Sequence, residues 1–129
     1  MEDVYTRQRY WGRSLIGWPV MRNARPNPSH HYISDLELLN HSSLVVTQNV
    51  DNLHREAGRT GLSEIHGNRT LLRCMDCSLR LRREEVRIVE VPPLCPECGG
   101  IIKSDGVMFG EPIPQDVLDR CFQETELCD

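Results

Sequence analysis

Apolar residues are spaced along this chain in two rhythms, and the rhythm changes near residue 44. From Tyr5 to Leu15 they recur at helical spacing, with Tyr10, Trp11 and Leu15 on roughly one side, so a helix is expected there. Gly17, Pro19, Pro26 and Pro28 are then expected to break it into a loop. Asn27 before Pro28 reads as an N-cap with proline at the first helical position. The helix that follows should bury Tyr32, Ile33, Leu36 and Leu39. Leu44-Val45-Val46-Thr47 is a β-branched run of the length of a buried parallel strand, and Gln48, Asn49 and Asp51 follow it at once. Polar residues at the C-terminal end of such a strand are where α/β folds place ligand chemistry. A brief helix ending at Gly58 and a short strand from Leu62 to His66, closed by Gly67, come next.

Beyond residue 70 the pattern is less regular. Val86–Val91 reads as a strand before Pro92-Pro93, and Val107-Met108-Phe109 as a further short apolar run. Pro114 opens an amphipathic helix with Val117, Leu118, Cys121, Phe122 and Leu127 on its inward side. No internal repeat or low-complexity segment interrupts the chain.

Composition narrows the class. With 39% hydrophobic and 26% charged residues, the 129-residue chain reads as soluble and globular, enough for one domain or part of a larger one. Aromatics make up only 5%, which is thin for a self-sufficient core of this size. The net charge of -4 argues against a nucleic-acid partner. Arg69, Arg73, Arg80, Arg82, Arg83 and Arg87 do cluster, but Asp76, Glu84 and Glu85 interrupt them, as on a solvated face. No apolar run approaches the roughly 18 residues of a membrane span. The opening Met-Glu-Asp-Val-Tyr lacks the basic and apolar regions of a signal peptide, so an intracellular, reducing setting is expected.

That setting bears on the six cysteines. Cys74 and Cys77 form one Cys-x-x-Cys pair and Cys95 and Cys98 another, with Ser78 to Leu94 between them. Two such knuckles turn four sulfurs toward one point, and Gly99-Gly100 suits the turn after the second. Four thiolates close the coordination shell, so the metal expected is one structural zinc ion. A redox dithiol or free buried thiols are the competing readings, and two pairs at ribbon spacing favour zinc. Cys121 and Cys128 have no such partner pair and read as small buried hydrophobes.

The stretch Val46-Thr47-Gln48-Asn49-Val50-Asp51-Asn52-Leu53-His54, followed by Glu64-Ile65-His66-Gly67, closely resembles the sirtuins, the NAD-dependent protein-lysine deacylases. The four cysteines follow at that family's spacing, and Gly106-Val107-Met108-Phe109-Gly110-Glu111 resembles its substrate-binding strand. Arg9-Tyr10-Trp11, Gly17-Trp18-Pro19, Pro26-Asn27 and His30 resemble the branch containing the mitochondrial sirtuin four type and its bacterial relatives. The resemblance implies a Rossmann-like α/β domain with an inserted zinc-ribbon module. It implies that Gln48, Asn49 and Asp51 line the pocket for nicotinamide and its ribose, and that His66 is the general base. It also implies that Val107 and Phe109 contact an acyl-lysine protein substrate while the Gly106–Glu111 backbone, Gly110 included, pairs with it as an added strand. His54 matches the family too and is expected to be a structural hydrogen-bonder.

On this reading residues 1–43 are a helical segment, 44–69 the Rossmann strand and catalytic loop, 70–105 the zinc module, and 106–129 the substrate strand and helix. The family's N-terminal Gly-Ala-Gly and its C-terminal Gly-Thr-Ser have no counterpart here. An incomplete parallel sheet, weak NAD binding and little deacylase activity by this chain alone are therefore expected. Ser104 and Gly106 depart from the family pattern and are expected to loosen their strand. A non-catalytic zinc module that binds a partner is the alternative, though it has no use for Thr47–Asp51 or His66. The compartment expected is mitochondrial for a eukaryotic source and cytoplasmic for a bacterial one.

Overall fold

The computed structural model describes residues 3–128; Met1 and Glu2 of the opening read above, and the terminal Asp129, lie outside them. The chain divides into two compact units, Met1–Ala24 with Arg69–Asp105, and Arg25–Asn68 with Gly106–Asp129.

In the first unit, helix α1 (Val4–Asn23) begins at Asp3, whose carboxylate accepts the Thr6 N–H at 2.8 Å. It does not end at Gly17 as expected but continues through Pro19. A proline inside a helix cannot donate to the carbonyl four residues back, and its ring crowds that turn. Arg83 braces the turn before it: its guanidinium donates to the Ser14 carbonyl at 3.0 Å and lies 4.6 Å from the Trp18 ring. Arg83 is itself buried, so the long helix rests on an arginine that the cluster reading had placed in solvent.

The three-stranded sheet has β3 (Gly67–Cys74) at its centre, between β4 (Arg80–Arg82) and β5 (Ile102–Gly106). β3 and β4 are antiparallel, with Leu72 opposite Leu81. The core holds Trp11, Leu72, Cys74, Cys95 and Ile102, with Tyr10, Leu79, Leu81, Val86 and Ile88 packed against it. Two aromatic residues tie α1 to β5: Trp11 donates its indole N–H to the Ile102 carbonyl at 3.2 Å, and the Tyr10 hydroxyl accepts the Ser104 N–H at 3.2 Å. Far from being loosened by Ser104 and Gly106, β5 buries Lys103, Ser104 and Asp105, and Asp105 accepts from Arg80 at 2.9 Å.

The strand expected at Val86–Val91 is absent; a short 3-10 turn, Arg83–Glu85, is followed by unpaired extended chain. Val86 and Ile88 still face the core while Val89 is 76% exposed, so the alternation was real but had no ladder partner.

In the second unit, helix α2 (Pro28–Leu38) starts as expected. The Asn27 side chain accepts the Ser29 and His30 N–H groups, and the His30 ring accepts the Asn27 N–H at 3.2 Å, forming a reciprocal capping box. Its inward face differs from expectation: Tyr32 and Leu39 are exposed, whereas Ser34 is buried. The reason is polar. Glu37 receives the N–H groups of Thr60 (2.9 Å) and Gly61 (2.7 Å). Arg59 is buried and donates to the carbonyls of Gly61 and Ser42 at 3.0 and 3.1 Å. This turns the Ser34 and Glu37 side of the helix inward.

Strands β1 (Val45–Thr47) and β2 (Leu62–Glu64) pair in parallel, Val45 with Leu62 and Thr47 with Glu64, joined by a connection containing helix α3 (Leu53–Glu56). Gly61 is required just before β2, because a Cβ there would collide with the Ser43 carbonyl. Helix α4 (Gln115–Glu126) lies against β2, with Val117, Leu118 and Cys121 half-buried. Phe122 and Leu127, expected inside, are exposed, so this short helix uses a narrower stripe than its apolar residues offer. Among the described residues no helix is long and apolar enough to cross a membrane.

Two outcomes follow. Trp11→Ala removes the centre of the first unit's core and should cost about 3–5 kcal/mol by urea denaturation. The Glu37 carboxyl is held down to about 2 from 4.5, first by the Thr60 N–H and then by its hydroxyl, with the Gly61 N–H and Arg59 adding to it. A depressed acid contributes stability above its unfolded value and loses it as pH falls through the folded one. Thermal melts of the wild type should therefore weaken between pH 4.5 and about 2, and Glu37→Gln should flatten that slope.

Candidate functional site

The metal centre is built by the first unit. β3 delivers Cys74 at its end, and the tight turn after it brings Cys77 back beside it. The Cys74 N–H bonds the Leu79 carbonyl at 2.9 Å, which closes that turn, and Ser78 takes a left-handed φ of 61° within it. The second knuckle closes in the same manner: the Cys95 N–H donates to the Gly100 carbonyl at 2.7 Å, and Gly99 adopts a φ of 73°. A Cβ at Gly100 would meet the exposed Asp76 side chain, which would have to move aside.

All four sulfurs lie within 4.8 Å of one another, with Cys74 and Cys98 Sγ 3.5 Å apart and Cys77 and Cys95 Sγ 3.6 Å apart. Tetrahedral zinc with Zn–S of about 2.3 Å sets sulfurs about 3.8 Å apart, so the cage has the right size. Backbone N–H groups already point at two sulfurs, Asp76 at Cys74 and Gly100 at Cys98, each at 3.4 Å. Such donors stabilise thiolate and orient the ligands. Among the described residues this is the one cluster of three or more metal-capable side chains.

The thiols also perturb one another. Cys74 is held down to about 7, chiefly by the Cys77 N–H, with help from the Asp76 N–H and the thiols of Cys98 and Cys77. Cys77 is pushed up to about 12: the Leu79 N–H pulls the other way, but the surrounding thiols of Cys98, Cys74 and Cys95 and burial outweigh it. Cys98 is raised too, the Gly100 N–H being overcome mainly by Cys74, Cys95 and burial. A divalent cation at the centre would favour the thiolate form of all four. One structural zinc fits. Cys121 and Cys128 are not members of this cluster; Cys121 is half-buried and Cys128 exposed, so the reading of both as buried holds only in part for the first and fails for the second. Cys121 sits on the narrow buried stripe of α4, and Cys128 lies past the end of that helix.

In the second unit, β1 and β2 run parallel and finish together, and the Ile65 N–H bonds the Thr47 carbonyl at 3.0 Å just beyond the pairing. Gln48, Asn49 and Asp51 leave the end of one strand while His66 leaves the end of the other, so the two expected groups emerge at one edge. The Asn49 N–H is held by the Thr47 hydroxyl at 3.0 Å, and Asp51 accepts the Leu53 N–H at 3.0 Å. One Asp51 carboxylate oxygen thus secures the entry to α3 just before its N-cap Asn52, and the second is left for other partners. The side chains of Gln48 and Asn49 are exposed, and His66 is half-buried.

Val107 is brought to this edge, its N–H donating to the His66 carbonyl at 2.9 Å. The segment beyond it is a turn, not a continuing strand: Met108 and Glu111 exchange hydrogen bonds across it, and Gly110 takes a φ of 83°. Phe109 at the tip is fully exposed. His54 departs from its expected role. Its ring lies 4.9 Å from that of His30, but its buried Nδ1 has no hydrogen-bond partner. Asn52 and Glu64 entered the sequence reading only as members of the family motif, with no role of their own, and Arg55 and Asn68 not at all; together these four join the two loops.

The zinc centre has a direct test. Purified chain should carry one zinc per molecule, and Cys74→Ser or Cys95→Ser at the buried ligands should lose it, while Cys121→Ser should not. Because each thiolate must take a proton to leave the metal, zinc release measured with a colorimetric chelator should rise as pH falls.

The sequence model of the Sir2 family matches residues 2–129. An NAD-dependent protein deacetylase of Xanthomonas campestris pv. campestris (strain 8004) is 36% identical across 100% of this chain and 54% of its own length. An NAD-dependent protein deacylase of Pyrococcus abyssi is 43% identical over 99% of this chain and 56% of its own. The chain thus spans about half the length of the curated relatives it matches. Among solved structures, Sir2 bound to acetylated peptide matches with a TM-score of 0.83 and 32% identity, over 90% of this chain and 50% of that one. A Sir2 homologue in complex with NAD matches at 0.78 and 37%, over 84% and 43%. With a zinc-sized thiol cage, paired strand ends carrying Gln48-Asn49 and His66, and a family match over nearly the whole chain, this protein belongs to the Sir2 family, the sirtuins.

Proposed function

We propose that this chain is the central part of an NAD-dependent protein-lysine deacylase, the acyl group passing from lysine to ADP-ribose as nicotinamide leaves. The observation that carries the reading is the parallel pair β1–β2, which presents Gln48, Asn49 and Asp51 and His66 at one edge. Amide groups on exposed, backbone-anchored loops can hydrogen-bond a carboxamide and ribose hydroxyls from that edge. NAD, when bound, supplies the ribose carbon that accepts the acyl oxygen. The protein's own part is orientation and one proton: the His66 imidazole takes a hydroxyl proton on a ring nitrogen and can return it. The bond from Val107 to the His66 carbonyl sets the segment carrying Phe109 and Gly110 beside that base, where an acyl-lysine would lie. Zinc takes no chemical part, because four thiolates leave it no open position.

The finer assignment we propose is the branch containing the mitochondrial sirtuin four type and its bacterial relatives. Its support is that Tyr10, Trp11, Trp18, Asn27 and His30, the residues that resemble that branch, each hold a specific contact rather than lie idle on the surface. The compartment that goes with it is mitochondrial in a eukaryote and cytoplasmic in a bacterium.

The test replaces the matching segment of the Xanthomonas campestris deacetylase with this chain and measures nicotinamide release from NAD and an acyl-lysine peptide. Release should depend on the peptide, and His66→Ala should lower it by about 10²–10⁴-fold. A chimera that folds and holds zinc yet releases no nicotinamide would sink the reading.

A further inference from the structure

Between the two loops of the strand-end site runs a hydrogen-bonded chain of four side chains. Asn68, buried just after the His66-Gly67 turn, donates from Nδ2 to Asn52 Oδ1 at 2.8 Å and to Glu64 Oε1 at 2.9 Å. The other Glu64 oxygen accepts from Arg55 Nε at 2.8 Å. Asn52 and Arg55 belong to the entry and the body of α3, Glu64 to the end of β2, and Asn68 to the start of β3. Chemistry settles the direction of the central bonds. A carboxylate can only accept, so the Asn68 group facing Glu64 is the NH₂. Both of its hydrogens are used, one on each loop.

Asn52 is the residue that needs holding. It occupies the left-handed region, with φ 69° and ψ 3°, and no side-chain cap bond of its own secures the helix it opens. Its backbone carbonyl accepts the Glu56 N–H at 3.1 Å, so its conformation sets the direction in which Gln48–Asp51 enter α3.

We propose that Asn68 is a positioning residue: through Asn52 and Glu64 it fixes the Gln48–Asn52 loop against the His66 turn. What the fixed loops then do rests on the deacylase reading above; the clasp itself does not. Loosening it would let the nicotinamide-side loop and the base drift independently, and misplacement by about 1 Å is enough to cost catalysis.

The experiment uses the isotope-labelled, zinc-loaded full chain and amide hydrogen exchange by NMR. Asn68→Asp keeps the shape of the side chain but sets an acceptor against Glu64. It should speed exchange at Glu56 and Ile65 by about tenfold and leave Met75, bonded to Ile101 beside the zinc, unchanged. Adding Glu64→Gln reverses the donor and acceptor across the same gap and should recover Ile65. If Asn68→Asp matches the wild type, if all amides including Met75 quicken alike, or if the double variant recovers nothing, the proposal is overturned. The same variants, followed by nicotinamide release wherever the chain turns over, should shift KM for NAD or kcat in parallel with the exchange rates. Turnover that stays at wild-type KM and kcat overturns positioning. A clasp intact in exchange but with no turnover instead counts against the deacylase reading alone.

Discussion

Four sulfurs within 4.8 Å of one another form the constraint from which the first unit is built. Two of them, Cys74 and Cys95, are also members of its hydrophobic core beside Trp11, Leu72 and Ile102. The cage and the core are therefore one object. β3 must end where Cys74 can reach the cluster, the second knuckle must close before β5 begins, and α1 lies across the result with Trp11 bonded to Ile102. A metal that draws four ligands together also fixes the register of the strands that carry them, so its binding energy is folding energy. Aromatic content of 5% is too thin to give such order by packing alone, and coordination supplies the difference.

The second unit solves a different problem by different means. Among the described residues its one buried hydrophobic side chain is Leu62; the others buried with it are Ser34, Arg59, Ser63 and Asn68. Arg59 bonds three backbone carbonyls, from Ile33, Ser42 and Gly61, and lies 3.5 Å from Glu37. Such a centre gives little net stability for each bond, because every group had water before folding. It does give direction, since a buried donor tolerates few geometries. Direction is what a site needs when its residues leave the ends of two short strands.

That contrast explains what could be read in advance. The two Cys-x-x-Cys pairs, the Asn27 cap, the β1 run and the order from Gln48 to His66 were legible because each is a local pattern with one dominant physical cause. The faces of the helices were not. Tyr32, Leu39, Phe122 and Leu127 fit an apolar stripe, yet they are exposed, because the partner surface is polar at α2 and narrow at α4. Pro19 signalled a break, yet the helix runs on, braced at the Ser14 carbonyl by Arg83 from a segment over sixty residues away. Val86 to Val91 kept the alternation of a strand but found no neighbour. In each case the deciding partner is distant in sequence, and periodicity carries no information about distant partners.

The same reasoning separates the residues proposed to perform chemistry from the one proposed to position them. Gln48, Asn49 and His66 were visible as a motif because polar side chains beside a buried strand invite a functional reading. Asn68 and Arg55 were not, because each alone reads as ordinary surface or strand, and Glu64 stood in the motif without a role. Asn68 is nonetheless more buried than His66, and both of its amide hydrogens are committed. A residue that acts by holding others must be buried and fully bonded, whereas one that meets a substrate must keep a partner in reserve. The exposed amides of Gln48 and Asn49 and the spare oxygen of Asp51 meet the second condition, and Asn68 meets the first. Unfilled hydrogen-bonding capacity at the strand ends, set on a fully bonded base, is the arrangement expected of a site that takes its ligand from solution and does not reorganise to do so.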